Sequence, residues 1–238
     1  MRTNRVVILI VEGPSDDDSV GILITGLFKK YYNMKVHVKI VHSDITSDFN
    51  VTSQTIAAKI GNIVKKCVKD NRFTKADIEK VYQIVDMDGA FVPDDAVVEN
   101  ENCDTVEYTL DNIITHNKYS IELRNDRKQK NLNKIFSMHS VWGTIPYKAF
   151  YMSCNLDHAL YNELNSTDNE KEKNAHKFAK KYKENLDGFL ELISDEQLLV
   201  SRNYNETCEF IKKDKNSLHR HTNLALMFDE IIEEKNLN

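Results

Sequence analysis

Three prolines and seven glycines in 238 residues leave little material for flexible linkers, and no repeat or low-complexity tract interrupts the chain. The four cysteines, Cys67, Cys103, Cys154 and Cys208, make no CxxC pair and no zinc-type spacing. That pattern excludes a disulfide scaffold and a zinc finger, and reads as reduced thiols in a cytoplasmic protein. Long hydrophobic runs are lacking too. Val6 to Val11 is no more than a strand's worth before Glu12 interrupts it, so neither a membrane span nor a signal peptide is expected. Nor is there an excess of positive charge. A formal net charge of -5 gives no global attraction to nucleic acid, so any polynucleotide contact must be a local basic patch. What remains is ordinary globular composition, 41% hydrophobic and 29% charged, with room for one sizeable domain or one with an appendage.

Two stretches carry the most information. Val6-Val7-Ile8-Leu9-Ile10-Val11 runs into Glu12-Gly13-Pro14-Ser15-Asp16, and Val81-Tyr82-Gln83-Ile84-Val85 runs into Asp86-Met87-Asp88-Gly89. Each is an apolar, β-branched run of strand length that ends in carboxylates followed by glycine. Continuous apolar strands belong in parallel sheets covered on both faces, and ligands of open α/β sheets bind beyond the carboxyl ends of the strands. Glu12, Asp16, Asp86 and Asp88 are therefore expected to meet. Clustered carboxylates repel unless a cation neutralises them, and hard oxygen ligands suit Mg²⁺ or Mn²⁺.

Between these stretches the pattern alternates helix and strand. Ser15 is placed to cap a helix running through Val20, Leu23, Ile24, Leu27 and Phe28. Met34 to Val41 alternates as a second strand, with His37 and His42 on a solvated face. Thr52 or Ser53 caps a helix with Ile56, Ile60, Val64 and Cys67 on one side. Thr105 to Ile114 reads as a short helix. Ile121 to Lys134 holds the densest basic run, Arg124, Arg127, Lys128, Lys130 and Lys134, either a charged helix surface or a phosphate-backbone contact. Tyr147 to Ser153 is a fourth strand, and Asn155-Leu156-Asp157 turns from it into a helix. From about Lys171 the period is helical throughout, with a last stripe of Leu224, Met227, Phe228, Ile231 and Ile232 capped by Thr222. His219-Arg220-His221 has no partner ligands close in sequence.

The Asp-x-Asp-Gly strand end looks like the first motif of haloacid-dehalogenase-type phosphatases, in which the first Asp is a nucleophile toward phosphate. That family opens with this motif and later supplies a Ser or Thr strand end, a Lys and an acidic pair following glycine. Here the motif comes late, and Gly143 and Gly188 are followed by Thr144 and Phe189. The order Val11-Glu12-Gly13-Pro14-Ser15-Asp16, then Asp86-Met87-Asp88, instead resembles the Toprim domain. Ser153-Cys154-Asn155-Leu156-Asp157 is similar to the Asn-Pro-x-Phe-Glu segment of OLD-like and RloB-like Toprim proteins, but lacks the Pro and has Asp for Glu.

The resemblance implies an α/β fold with a mostly parallel four-stranded sheet flanked by helices. It places a core over residues 1–165, with an insertion at about 90–145, and leaves a helical extension over 166–238. It makes Glu12 a general acid or base or a metal ligand, joined by Asp16. Asp86 and Asp88 would hold Mg²⁺ or Mn²⁺, with Asp157 as a further ligand. The expected activity is that of a phosphodiesterase on nucleic acid, in bacterial defence by analogy with those relatives, with Arg124, Arg127, Lys128 and Lys130 on the polynucleotide. A phosphatase or nucleotide hydrolase, and an inactive binding or regulatory module, are the alternatives. A homo-oligomer or a protein partner is compatible with either.

Overall fold

The structure, a computed structural model, describes residues 6–32, 35–40 and 44–229. Met34, Val41, His42, Ile231 and Ile232 lie outside them. The strands are β1 (Val6–Val11), β2 (Lys35–Ile40), β3 (Ile78–Asp86), β4 (Val97–Glu99), β5 (Glu107–Tyr108), β6 (Ile113–Thr115), β7 (Ser140–Val141), β8 (Ile145–Ser153) and β9 (His221–Thr222). The α-helices are α1 (Pro14–Asp16), α2 (Ile22–Leu27), α3 (Ile56–Asp70), α4 (Lys118–Phe136), α5 (Leu156–Tyr161), α6 (Asp168–Tyr182), α7 (Leu186–Ile193) and α8 (Tyr204–Ile211). Wider π-helical turns, Asp17–Gly21 and Phe28–Tyr32, extend α1 and α2.

The fold is α/β, with a mostly parallel central sheet flanked by helices. The sheet runs β2-β1-β3-β8-β7, with β9 also on β8. β1 is parallel to both neighbours, whereas the short β7 and β9 lie antiparallel to β8. The four expected strands are β1, β2, β3 and β8, and two short ones enlarge the sheet to six. None of the described helices is long and apolar enough to cross a membrane.

Two compact units divide the chain. The first comprises Met1–Val85, Lys130–Ala149 and Ala175–Leu186. Every residue of β1 is buried, which is why that strand reads as an unbroken apolar run rather than an alternating one. Val20, Leu23, Ile24, Leu27 and Phe28 recur at helical spacing and are all buried, with the Phe28 ring 6.1 Å from Tyr82 on β3. Each such side chain contributes about 1.5–3 kcal/mol by leaving water. α3 starts at Ile56, later than Thr52 or Ser53 would place it, because the Thr52 carbonyl closes a turn onto Thr55 N and Ile56 N first. Within the sheet, the buried Tyr147 hydroxyl donates to Gln83 Oε1 at 2.7 Å, satisfying a polar pair inside the core.

The second unit comprises Asp86–Gln129, Phe150–Asn174 and Asp187–Asn238. It contains a separate three-stranded sheet, β4-β6-β5. Thr105 to Ile114 is thus strand and turn, not the expected short helix. Thr109 decides this: its hydroxyl accepts from Asp111 N and Asn112 N, while its own N–H donates to Asn112 O at 2.9 Å. Such local side-chain bonds offer the backbone an alternative to helix, and the β-branched Ile113 and Ile114 then pair as strand. Ile113 joins Val92, Val97, Ile121, Cys154 and Leu218 in a buried cluster.

The tail is not helical throughout. Thr222, expected as a helix cap, lies in β9, where its hydroxyl donates to Tyr151 O at 2.7 Å and still accepts from Leu224 N. Arg220 donates to the Ala159 and Leu160 carbonyls at the end of α5, which satisfies orphan acceptors of that helix.

Candidate active site

In the first unit, Glu12 follows directly on β1 and is half-buried. Pro14 occupies the first helical position, and Gly13 N donates to Asp16 Oδ2 at 2.9 Å. Asp16 therefore closes the strand-to-helix turn with its own carboxylate. Next to it, burial and then the Asp18 charge raise the Asp17 carboxyl above its ordinary range, against the pull of His37.

In the second unit, Asp86 ends β3 and the chain reverses over Met87–Ala90. Asp88 and Gly89 have φ of 47° and 62°, and Ala90 N closes the turn on Met87 O at 2.9 Å. Two consecutive left-handed residues define a type I′ turn, for which Asp-Gly is a favoured sequence. Met87 N donates to Met152 O and Asp88 N to Cys154 O at 2.7 Å, which ties the turn to the end of β8. Asp86 and Asp88 are each half-buried.

Two cations of α4 converge on Asp88. Lys128, wholly buried, places Nζ 2.5 Å from Oδ2 of the Asp88 carboxylate, which is 23% exposed. Arg124 donates to the Asp88 carbonyl at 2.8 Å and to the Tyr108 hydroxyl at 2.9 Å. Residues four apart share a helix face, so a single face of α4 delivers both. Arg124 and Lys128 were expected on a polynucleotide; the structure turns them inward to hold the Asp88 turn. Arg127 is half-buried and Lys130 exposed on the same helix. The Lys128–Asp88 pair spans 40 residues, and nothing local in the sequence signals it.

Burial, followed by the Asp88 and Asp86 charges, drives the Cys154 thiol well above its ordinary range. A neutral buried thiol is a poor nucleophile. Burial also raises the Tyr108 hydroxyl, with Asp88 adding to the effect, so that group stays protonated. Asn155 caps α5 by accepting from His158 N at 2.9 Å. His158 Nδ1 accepts from Cys154 N at 3.3 Å, an arrangement that requires the neutral ring.

The His158 imidazole is pushed down to about 4, mainly by burial and then by Arg220, His219 and His221. Its folded value lies below its unfolded one, so the unfolded chain binds a proton first as pH falls. Stability from this group is full above the unfolded value and is lost as pH drops through the window down to about 4. The melting temperature should decline across that window, and His158→Asn should flatten the decline. A pH profile identical in the variant would remove His158 as its cause.

Asp157 lies in the first turn of α5, 6% exposed, with Oδ1 lacking a hydrogen-bond partner. The structure thus gathers Glu12 with Asp16 in one unit, and Asp86 with Asp88 in the other, where Asp157 faces a cavity of its own. Among the described residues, no group of three or more His, Cys, Asp or Glu side chains is assembled that could hold a metal ion. Mg²⁺ keeps several waters and needs only one or two protein carboxylates plus substrate phosphates. Asp86 and Asp88, hard oxygen donors on one tight turn, fit that smaller requirement. No protein-family model, curated protein or solved structure matches the chain.

Proposed function

We propose that the chain is a Toprim-like phosphodiesterase that acts on nucleic acid with Mg²⁺ or Mn²⁺. The observation that carries this reading is the type I′ turn at the end of β3, which presents Asp86 and Asp88 beside a mostly parallel sheet. Asp86 and Asp88 would hold the ion. When bound, the ion neutralises charge on non-bridging phosphate oxygens and generates a deprotonated nucleophile. Lys128 and Arg124 position Asp88, fixing the carboxylate and the backbone that carries it. The general acid or base is Glu12, by the Toprim resemblance. A role in bacterial defence rests on the same analogy.

One observation favours a second reading. A haloacid-dehalogenase-type phosphatase also needs a lysine at its aspartate pair, and Lys128 stands there. Incubation of the full chain with DNA, RNA and a small phosphomonoester, in Mg²⁺, Mn²⁺ or chelator, separates the two. Metal-dependent polynucleotide cleavage without phosphomonoester turnover is the expected result. The reverse outcome selects the phosphatase, and polynucleotide binding without any turnover selects an inactive module.

A further inference from the structure

The second unit contains a cavity of about 470 Å³ between the β5 edge and the chain leading from α5 into α6. Its walls are braced from within. Asn165 clasps the backbone of Tyr108, accepting from its N–H and donating to its carbonyl, both at 2.8 Å. Asn155 donates across to Leu164 O. A volume of this size is far more than a bare metal ion fills and lies within the range of small-molecule sites.

The charges lining the cavity are Glu107, Asp157 and Asp168 against Lys171. With all four ionised, three negative charges against one positive leave the lining at −2. Such a wall repels phosphate groups, which separates it from any polynucleotide backbone contact. Asp157 lines it, 6% exposed, and its Oδ1 has no hydrogen-bond partner. Burying a carboxylate oxygen without a donor is costly. A ligand that supplies N–H donors and positive charge relieves that cost.

We infer that this cavity binds a small organic cation whose primary ammonium group donates to Asp157. An ammonium offers three donors and the matching charge, while Thr105 provides a hydroxyl for the rest of the molecule. Burial holds the Asp157 carboxyl above its ordinary range, against the opposing Lys171 charge and Ser166 hydroxyl. This site does not rest on the phosphodiesterase reading.

Calorimetric titration of the full chain with spermidine, and separately with MgCl₂, tests it. Wild type should bind spermidine saturably. Asp157→Asn should weaken binding about tenfold or more, while its unliganded melting temperature holds or rises because a buried charge is gone. Lys171→Met should tighten binding by removing the competing ammonium, and it decides the matter should Asp157→Asn fail to fold. Absence of saturable spermidine binding, equal binding by Asp157→Asn, or weakened binding in Lys171→Met overturns the proposal. So does Mg²⁺ binding that matches spermidine and is lost in the same variants, because that marks a metal site. Nucleic-acid cleavage is not a readout, so failure here leaves the phosphodiesterase reading standing, and the reverse holds.

Discussion

Asp86→Asn should lower the metal-dependent turnover of polynucleotide by about 10³-fold, since an ion's charge stabilisation of several kcal/mol corresponds to roughly that factor. The substitution keeps the side chain's size and removes only its charge. Asp86 is half-buried at the end of β3, so the fold should persist and the loss should appear in kcat. Asp88→Asn must behave differently. Its carboxylate balances the wholly buried Lys128 ammonium, and removing one partner of such a pair costs about 3–5 kcal/mol when the other is left without compensation. Because Asp88 is 23% exposed, water offsets part of that cost. Adding Lys128→Met to Asp88→Asn should restore much of the stability but none of the activity. Measured kcat and urea midpoints for the three variants would separate the two roles. Unchanged turnover in Asp86→Asn removes this carboxylate from the chemistry.

Gly89→Ala should destabilise the protein by about 2–5 kcal/mol in urea unfolding. Two costs add. A left-handed φ of 62° strains any residue with a Cβ by about 1–2 kcal/mol. The new Cβ would also lie 2.7 Å from Leu218 Cδ2 and 3.0 Å from Ile113 Cδ1, two fully buried side chains of one core cluster. Neither can withdraw without opening that cluster, and overpacking of this kind costs about 1–3 kcal/mol. A loss below about 1 kcal/mol would mean that the turn relaxes to a different backbone conformation.

Much of the local structure is written in short-range pattern. The unbroken apolar run of β1 announced a strand buried on both faces, whereas the left-handed turn at Asp88-Gly89 was not read from the sequence, which places Asp88 at a strand end. The helical period expected from about Lys171 likewise holds in α6, whose buried stripe is Ala175, Phe178, Ala179 and Tyr182. What the sequence concealed depends on distant partners. The pairing of Lys128 with Asp88, 40 residues away, turned an apparent basic surface into internal support. The β4-β6-β5 sheet was hidden because Thr109 bonds its own turn, which a scan for helical period does not register. Each compact unit is also assembled from three separate stretches of chain, an interleaving that only long-range contacts create.

The central claim is that Asp86 and Asp88 hold a divalent ion, and thermal unfolding in rising Mn²⁺ tests it most directly. An ion that binds only the folded chain stabilises it by about 2.7 kcal/mol at a hundred times its Kd. The melting temperature of wild type should therefore climb with Mn²⁺, while that of Asp86→Asn stays flat. Equal responses in the two proteins, or no response in either, would contradict it.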